Sequence, residues 1–85
     1  MKKPTIPELR KMNREEKMFL KKITGKVVDL IREGKDVNMS FYPPDSKSSC
    51  KLIVVMQIGK QWMFWYVGQT YGNKPEDILT ALEQL

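Results

Sequence analysis

The densest apolar run in the chain spans residues 51–67, KLIVVMQIGKQWMFWYV, and Gly59-Lys60 divides it into two strands. A two-residue loop that begins with glycine is typical of a type II′ turn, because glycine takes the required positive φ without strain. With the turn at these two residues, Ile58 faces Gln61 and Leu52 faces Val67. The pattern therefore predicts an antiparallel hairpin.

A third strand is predicted upstream, where residues 36–42 alternate between apolar and polar side chains. The following loop, 43–49, is too polar and too rich in proline to pair. One face of the resulting three-stranded sheet, residues 36–67, is wholly apolar and is the predicted core face: Val37, Met39, Phe41, Leu52, Val54, Met56, Met63, Trp65 and Val67. The opposite face carries Asn38, Ser40, Tyr42, Ile53, Val55, Gln57, Trp62, Phe64 and Tyr66.

Helical periodicity precedes and follows the sheet. Asn13-Arg14-Glu15-Glu16 fits a capping box and opens a basic amphipathic helix over 13–33, which Gly34 ends. Thr5-Ile6-Pro7-Glu8 fits another, so residues 1–12 form an arm or short helix, or one helix runs through Asn13. Asn73-Lys74-Pro75-Glu76 opens a last helix over 74–85. The apolar stripe of the N-terminal region comprises Leu9, Met12, Phe19, Leu20, Ile23, Val27, Leu30 and Ile31.

The predicted fold is α+β, a single domain over 1–85 with a three-stranded antiparallel meander and both helices mainly on one sheet face. This αβββα order resembles the double-stranded RNA-binding domain, and residues 72–85, GNKPEDILTALEQL, have the outline of its last helix. That family places a lysine cluster at the start of this helix to contact phosphates, whereas here Lys74 is followed by Pro75, Glu76 and Asp77. The resemblance therefore implies a shared topology and not that mode of RNA binding.

Positive charge is concentrated at one end of the chain, whose net charge is +5. Residues 1–35 hold eleven Lys and Arg residues against five acids, so the remaining residues are slightly negative. A narrow band of the first helix carries Arg10, Arg14, Lys17 and Lys21, which are candidates for phosphate contacts. The plainer interpretation of this band is an ordinary solvated helix face.

The second sheet face is the other candidate site, because Tyr42, Trp62, Phe64 and Tyr66 lie on it. Exposed aromatic rings can stack on nucleotide bases or form the centre of a protein interface, including that of a homodimer. Alternatively, the last helix or the N-terminal arm covers this face as a second small core. The sequence leaves these alternatives open.

Catalysis, metal binding and cofactor binding are not expected. The chain has no histidine, a single cysteine (Cys50) and no glycine-rich phosphate loop. It has no signal peptide and no apolar run long enough to span a membrane, so a soluble, cytoplasmic protein is expected. The hypothesis is a small non-enzymatic binding module for nucleic acid, using the basic helix and the aromatic sheet face. The alternative is a protein-interaction module, such as a phage or mobile-element regulator or inhibitor, or a homodimer.

Overall fold

A computed structural model describes residues 11–44 and 49–85, and most of the predicted arm (1–12) therefore lies outside the described residues. The elements follow the predicted order αβββα, which confirms the α+β class. They are α1 (Arg14–Arg32), β1 (Val37–Tyr42), β2 (Leu52–Ile58), β3 (Gln61–Val67) and α2 (Pro75–Glu83).

Helix α1 begins at Arg14 because Asn13 caps it. The Oδ1 atom of Asn13 accepts a hydrogen bond from the Glu16 N–H at 2.8 Å, and Glu16 Oε1 accepts one from the Asn13 N–H at 2.8 Å. Asn13 itself has extended backbone angles, φ −79° and ψ 175°, so one continuous helix does not run through it. The capping box at Asn13 is confirmed, whereas the one at 5–8 lies outside the described residues.

The sheet has the order β1-β2-β3, with both pairs antiparallel. Leu52 pairs with Val67 and Ile58 with Gln61, which confirms the predicted register of the hairpin. Gly59 has a φ of 62° and Lys60 does not have a positive φ, as a type II′ turn requires.

Both helices pack on the predicted core face of the sheet, and all nine side chains of that face are buried. Helix α1 contributes Leu20, Ile23, Val27 and Leu30 to the same core, and α2 contributes Ile78 and Leu82. Each such side chain stabilises the fold by ~1.5–3 kcal/mol through burial. Ile31 was predicted to join this stripe but is 48% exposed. It lies at the margin of the stripe, about 60° from the centre at 100° per residue, so the helix turns it away from the sheet.

Helix α2 starts one residue later than its capping signal predicts. Lys74 is the N-cap and makes no side-chain capping bond, and Pro75 occupies the first turn. The Asn73 side chain instead accepts a hydrogen bond from the N–H of Phe64 on β3. The connector 68–73 is therefore attached to the outer edge of the sheet.

Candidate interaction surfaces

The face of the sheet that points away from the helices forms a grid of three rows, which we call the aromatic sheet face. Strand register defines the rows as Asn38–Gln57–Trp62, Ser40–Val55–Phe64 and Tyr42–Ile53–Tyr66. None of the nine side chains carries a charge. In the first two rows the side chains become larger across the sheet, from Asn38 and Ser40 on β1 to Trp62 and Phe64 on β3, whereas the third row has a tyrosine on both outer strands.

Three of the four aromatic residues predicted for this face are open to solvent. Tyr42 is 49% exposed, Trp62 58% and Phe64 38%. Tyr66 is only half-buried, because the ring of Tyr71 packs against it with centroids 4.9 Å apart. Among the described residues, Tyr71 thus covers Tyr66 alone of the four, and the last helix packs on the core face instead. Residues 1–10 of the N-terminal arm, the other covering element that the sequence leaves open, lie outside the described residues.

The connector 68–73 adds Tyr71 to this face, a residue that the sequence reasoning did not assign to it. Gly72 forms a bridge with Trp65, and the Asn73 N–H donates to the Phe64 carbonyl oxygen at 2.6 Å. These contacts hold Tyr71 beside Tyr66 while leaving it 55% exposed. The sequence signal for this arrangement was the Gly72-Asn73 pair, which is typical of a turn.

A shallow depression of about 210 Å³ lies at the β1 side of the aromatic sheet face. It exists because Asn38 and Ser40 are small, whereas the side chains around them are larger. Its lining also includes Tyr42, Val55 and Trp62. The depression therefore offers amide and hydroxyl groups at its base and aromatic rings at its rim.

The second predicted site lies on the outer surface of α1. Three of the four predicted phosphate contacts, Arg14, Lys17 and Lys21, are exposed there, and together with the exposed Lys22 and Arg32 they form what we call the basic helix face. Within residues 11–44 and 49–85 the one ion pair joins Lys51 Nζ to Glu16 Oε1 at 2.9 Å, so none of these five cations is paired there. Asp29 is the one acid among them at helical spacing. Arg10, the fourth predicted phosphate contact, lies outside the described residues.

The two candidate surfaces lie on opposite sides of the molecule. The buried stripe of α1, including Ile23 and Val27, packs on the core face of the sheet, so the basic helix face points away from it. The aromatic sheet face points the other way because successive side chains of a strand alternate between faces. The joint use of both surfaces, as the sequence hypothesis has it, would require a ligand that wraps around the protein.

Other reactive groups form no assembled site in the part of the chain that the structure covers. Cys50 is buried, and its Sγ donates to the Leu52 carbonyl oxygen at 3.2 Å. No group of three or more His, Cys, Asp or Glu side chains there is placed to hold a metal ion. The first turn of α2 carries Glu76 and Asp77, whose charges would repel an anion from the helix N-terminus.

No protein family, curated protein or solved structure matches this chain significantly. Among the described residues, no helix combines the length and the apolar character needed to cross a membrane.

Proposed function

We propose that this protein is a non-enzymatic binding module that holds nucleic acid by its phosphate backbone through the basic helix face. The observation that carries the proposal is the set of five exposed cations on one side of α1, without an ion pair among the described residues. Unpaired surface cations bind a polyanion by releasing its condensed counterions, a gain that is independent of nucleotide sequence.

The dimensions of α1 suit such a ligand. Its nineteen residues give a length of about 28 Å at 1.5 Å per residue, and Arg14 and Lys21 are about 10 Å apart along the axis. An α-helix of ~10–12 Å diameter fits the major groove of DNA, which is ~12 Å wide, or can lie across the backbone. The residues between the cations on this side include Gly25, Asp29 and the exposed Met18, and all five cations remain exposed.

A second candidate function is protein binding through the aromatic sheet face. It is favoured by the exposure of Tyr42, Trp62 and Phe64 on a surface without charges. Large exposed apolar patches on a small domain mark interaction sites, and Trp and Tyr dominate the energetics of protein interfaces. Base stacking on this face is less well supported, since stacking sites for single strands combine aromatic rings with a positively charged groove.

The test is fluorescence anisotropy with labelled duplex and single-stranded oligonucleotides, comparing two double variants. Arg14→Glu with Lys21→Glu reverses two charges of the basic helix face, and their i, i+7 spacing avoids a new repulsive pair. The matched control is Lys60→Glu with Lys74→Glu, which lie at the hairpin turn and the α2 N-cap. Each double variant lowers the net charge by four, from +5 to +1.

With Arg14, Lys17 and Lys21 each contacting one phosphate, we expect the wild-type affinity to fall about 40-fold between about 50 and 200 mM salt. In the helix-face variant, the slope of log affinity against log salt concentration should become shallower by about two, whereas in the control variant this slope should stay nearly unchanged. Trp62 emission should change little, because it lies on the opposite side of the sheet. Equal losses in both variants would reduce the effect to net charge and overturn the proposal. Strong quenching of Trp62 by single strands would favour base stacking instead.

A further inference from the structure

We propose that the aromatic sheet face is the interface of a homodimer, in which two copies pack their sheets face to face about a two-fold axis parallel to β2. This inference concerns a different surface from the nucleic-acid proposal and does not depend on it. Three observations carry it: the gradient of side-chain size across the face, the distribution of charge, and the exposed aromatic area.

The size gradient makes the face complementary to itself. A two-fold axis along β2 lays β3 of one copy over β1 of the other, so Trp62 lies over Asn38 and Phe64 over Ser40. In these two rows large side chains oppose small ones, which fills the space between the sheets. The third row, at one end of the grid, opposes two tyrosines instead. The depression at the β1 side of each copy receives the aromatic rings of the other. Rotation about an axis across the strands would oppose Phe64 to Phe64 and leave the β1 side unfilled.

Polar groups on the face also find partners in this arrangement. A buried tryptophan requires an acceptor for its indole N–H, and the Ser40 hydroxyl lies in the row beside it. Asn38 Oδ1 already accepts from the Met39 N–H at 2.9 Å and has one lone pair left for the indole. In the third row, Tyr66 lies over Tyr42, whose hydroxyl can remain at the rim of the interface. Val55, at the centre of the grid, lies on the two-fold axis.

The charge distribution permits two copies of a cationic protein to meet at this face. The nine grid positions are uncharged, and the basic helix face points to the opposite side of each copy. In the dimer each α1 helix lies behind its own sheet, on an outer surface, and the two sheets are themselves ~10 Å apart. The distance between the two helices is therefore larger than the distance between the sheets, and it exceeds the Debye length of ~10 Å at 0.1 M ionic strength. Electrostatic repulsion between the two basic helix faces is therefore weak.

The exposed area suffices for a reversible dimer. Tyr42, Trp62, Phe64 and Tyr71 are each exposed by between 38% and 58%. With ~150–250 Å² per aromatic residue, these four contribute roughly 400 Å² per copy. The remaining grid residues bring the total for both copies near 1,000 Å², the lower end of specific interfaces. We therefore expect a dissociation constant in the micromolar range.

Sedimentation velocity over a concentration series tests the dimer. The 10.0 kDa chain should approach twice that mass at high micromolar concentration. Phe64→Glu should remain monomeric over the same range, whereas Ile31→Glu, which alters an exposed apolar residue away from the face, should dimerise as the wild type does. A wild-type chain that is monomeric at every concentration overturns the inference and leaves the face to a different protein. Loss of the dimer in both variants also overturns it.

Cross-linking with a short bismaleimide tests the axis, and it does so with variants that leave the aromatic residues intact. In the proposed arrangement Gln57 lies near Gln57 of the second copy and Ile53 near Ile53, so Gln57→Cys and Ile53→Cys should each cross-link alone. Wild-type protein is the control, since Cys50 is buried. Cross-linking that requires a mixture of the two variants would contradict the axis along β2. No cross-linking in any sample would contradict face-to-face packing, whatever the effect of Phe64→Glu on folding.

Discussion

Asn73 pairs with both backbone groups of Phe64 on the outer edge of β3. Its N–H donates to the Phe64 carbonyl oxygen at 2.6 Å, and its Oδ1 accepts from the Phe64 N–H at 2.8 Å. The backbone N–H and the side chain of Asn73 thus make the two hydrogen bonds to Phe64 that a fourth strand would otherwise make. This arrangement covers part of an edge that could pair with another chain, and it positions Tyr71 beside the aromatic sheet face.

Replacing Asn73 with Ala removes the acceptor for the Phe64 N–H and should lower the free energy of unfolding by about 1 kcal/mol. Asn73→Asp keeps the acceptor and should lose less than half as much. Denaturant titration measures both, and amide hydrogen exchange at Phe64 should accelerate in the Ala variant alone. Equal stability of the wild type and the Ala variant would contradict a role for this contact.

Alanine substitution at Gly72 and at Gly25 is expected to change the stability of the fold in opposite directions. A Cβ atom on Gly72 would lie 2.5 Å from Tyr66 Cδ2 and 2.9 Å from the Phe64 carbonyl oxygen, at a φ of 85°. Gly72→Ala should therefore cost about 2–4 kcal/mol through backbone strain and overpacking. Gly25 lies in α1 with no atom within 4 Å of its added Cβ, so Gly25→Ala should stabilise by about 0.5–1 kcal/mol. In thermal unfolding, the melting temperature should be lower than that of the wild type for Gly72→Ala and higher for Gly25→Ala.

Glu16 connects the start of α1 to the start of β2. Its Oε1 accepts from the Asn13 N–H at 2.8 Å and from Lys51 Nζ at 2.9 Å, with the Lys51 and Glu16 side chains 30% and 15% exposed. Glu16→Ala should cost about 1–2 kcal/mol, because both contacts are lost. Glu15→Ala, at an exposed neighbouring position, should change stability by less than about 0.5 kcal/mol. The difference between the two variants in free energy of unfolding should become smaller in high salt, because salt screens the ion pair between Glu16 and Lys51.

The two tryptophans of β3 lie on opposite faces of the sheet, and their substitution should therefore have different effects on stability. Trp65 is 5% exposed in the core, and Trp65→Ala should cost about 3–5 kcal/mol. Trp62→Ala should cost less than about 1 kcal/mol, provided that the protein is diluted below the concentration at which it dimerises. Urea titration at low micromolar protein measures both. A large loss for Trp62→Ala under these conditions would mean that the aromatic sheet face is part of the monomer core.

Local patterns were sufficient for much of the fold. The type II′ turn at Gly59 fixed the hairpin register, because in a two-residue loop the pairing of Ile58 with Gln61 follows directly. Alternation with a period of two separated the core face from the aromatic sheet face, since a register slip of one residue would expose the core face. The start of α1 was equally predictable, because the Asn13 capping box is satisfied within four residues.

Contacts between distant parts of the chain decided the rest. Asn73 has the sequence of a helix cap, yet its side chain bonds to Phe64, because the unpaired edge of β3 lies beside it only in the folded chain. Tyr71 reaches Tyr66 for the same reason. Periodicity identified the basic helix face and the aromatic sheet face and predicted both helices on the core face, but it left open whether another part of the chain covers the aromatic sheet face. Only the tertiary structure shows that Tyr42, Trp62 and Phe64 stay exposed while Tyr71 covers Tyr66, because these contacts depend on the path of the connector between β3 and α2.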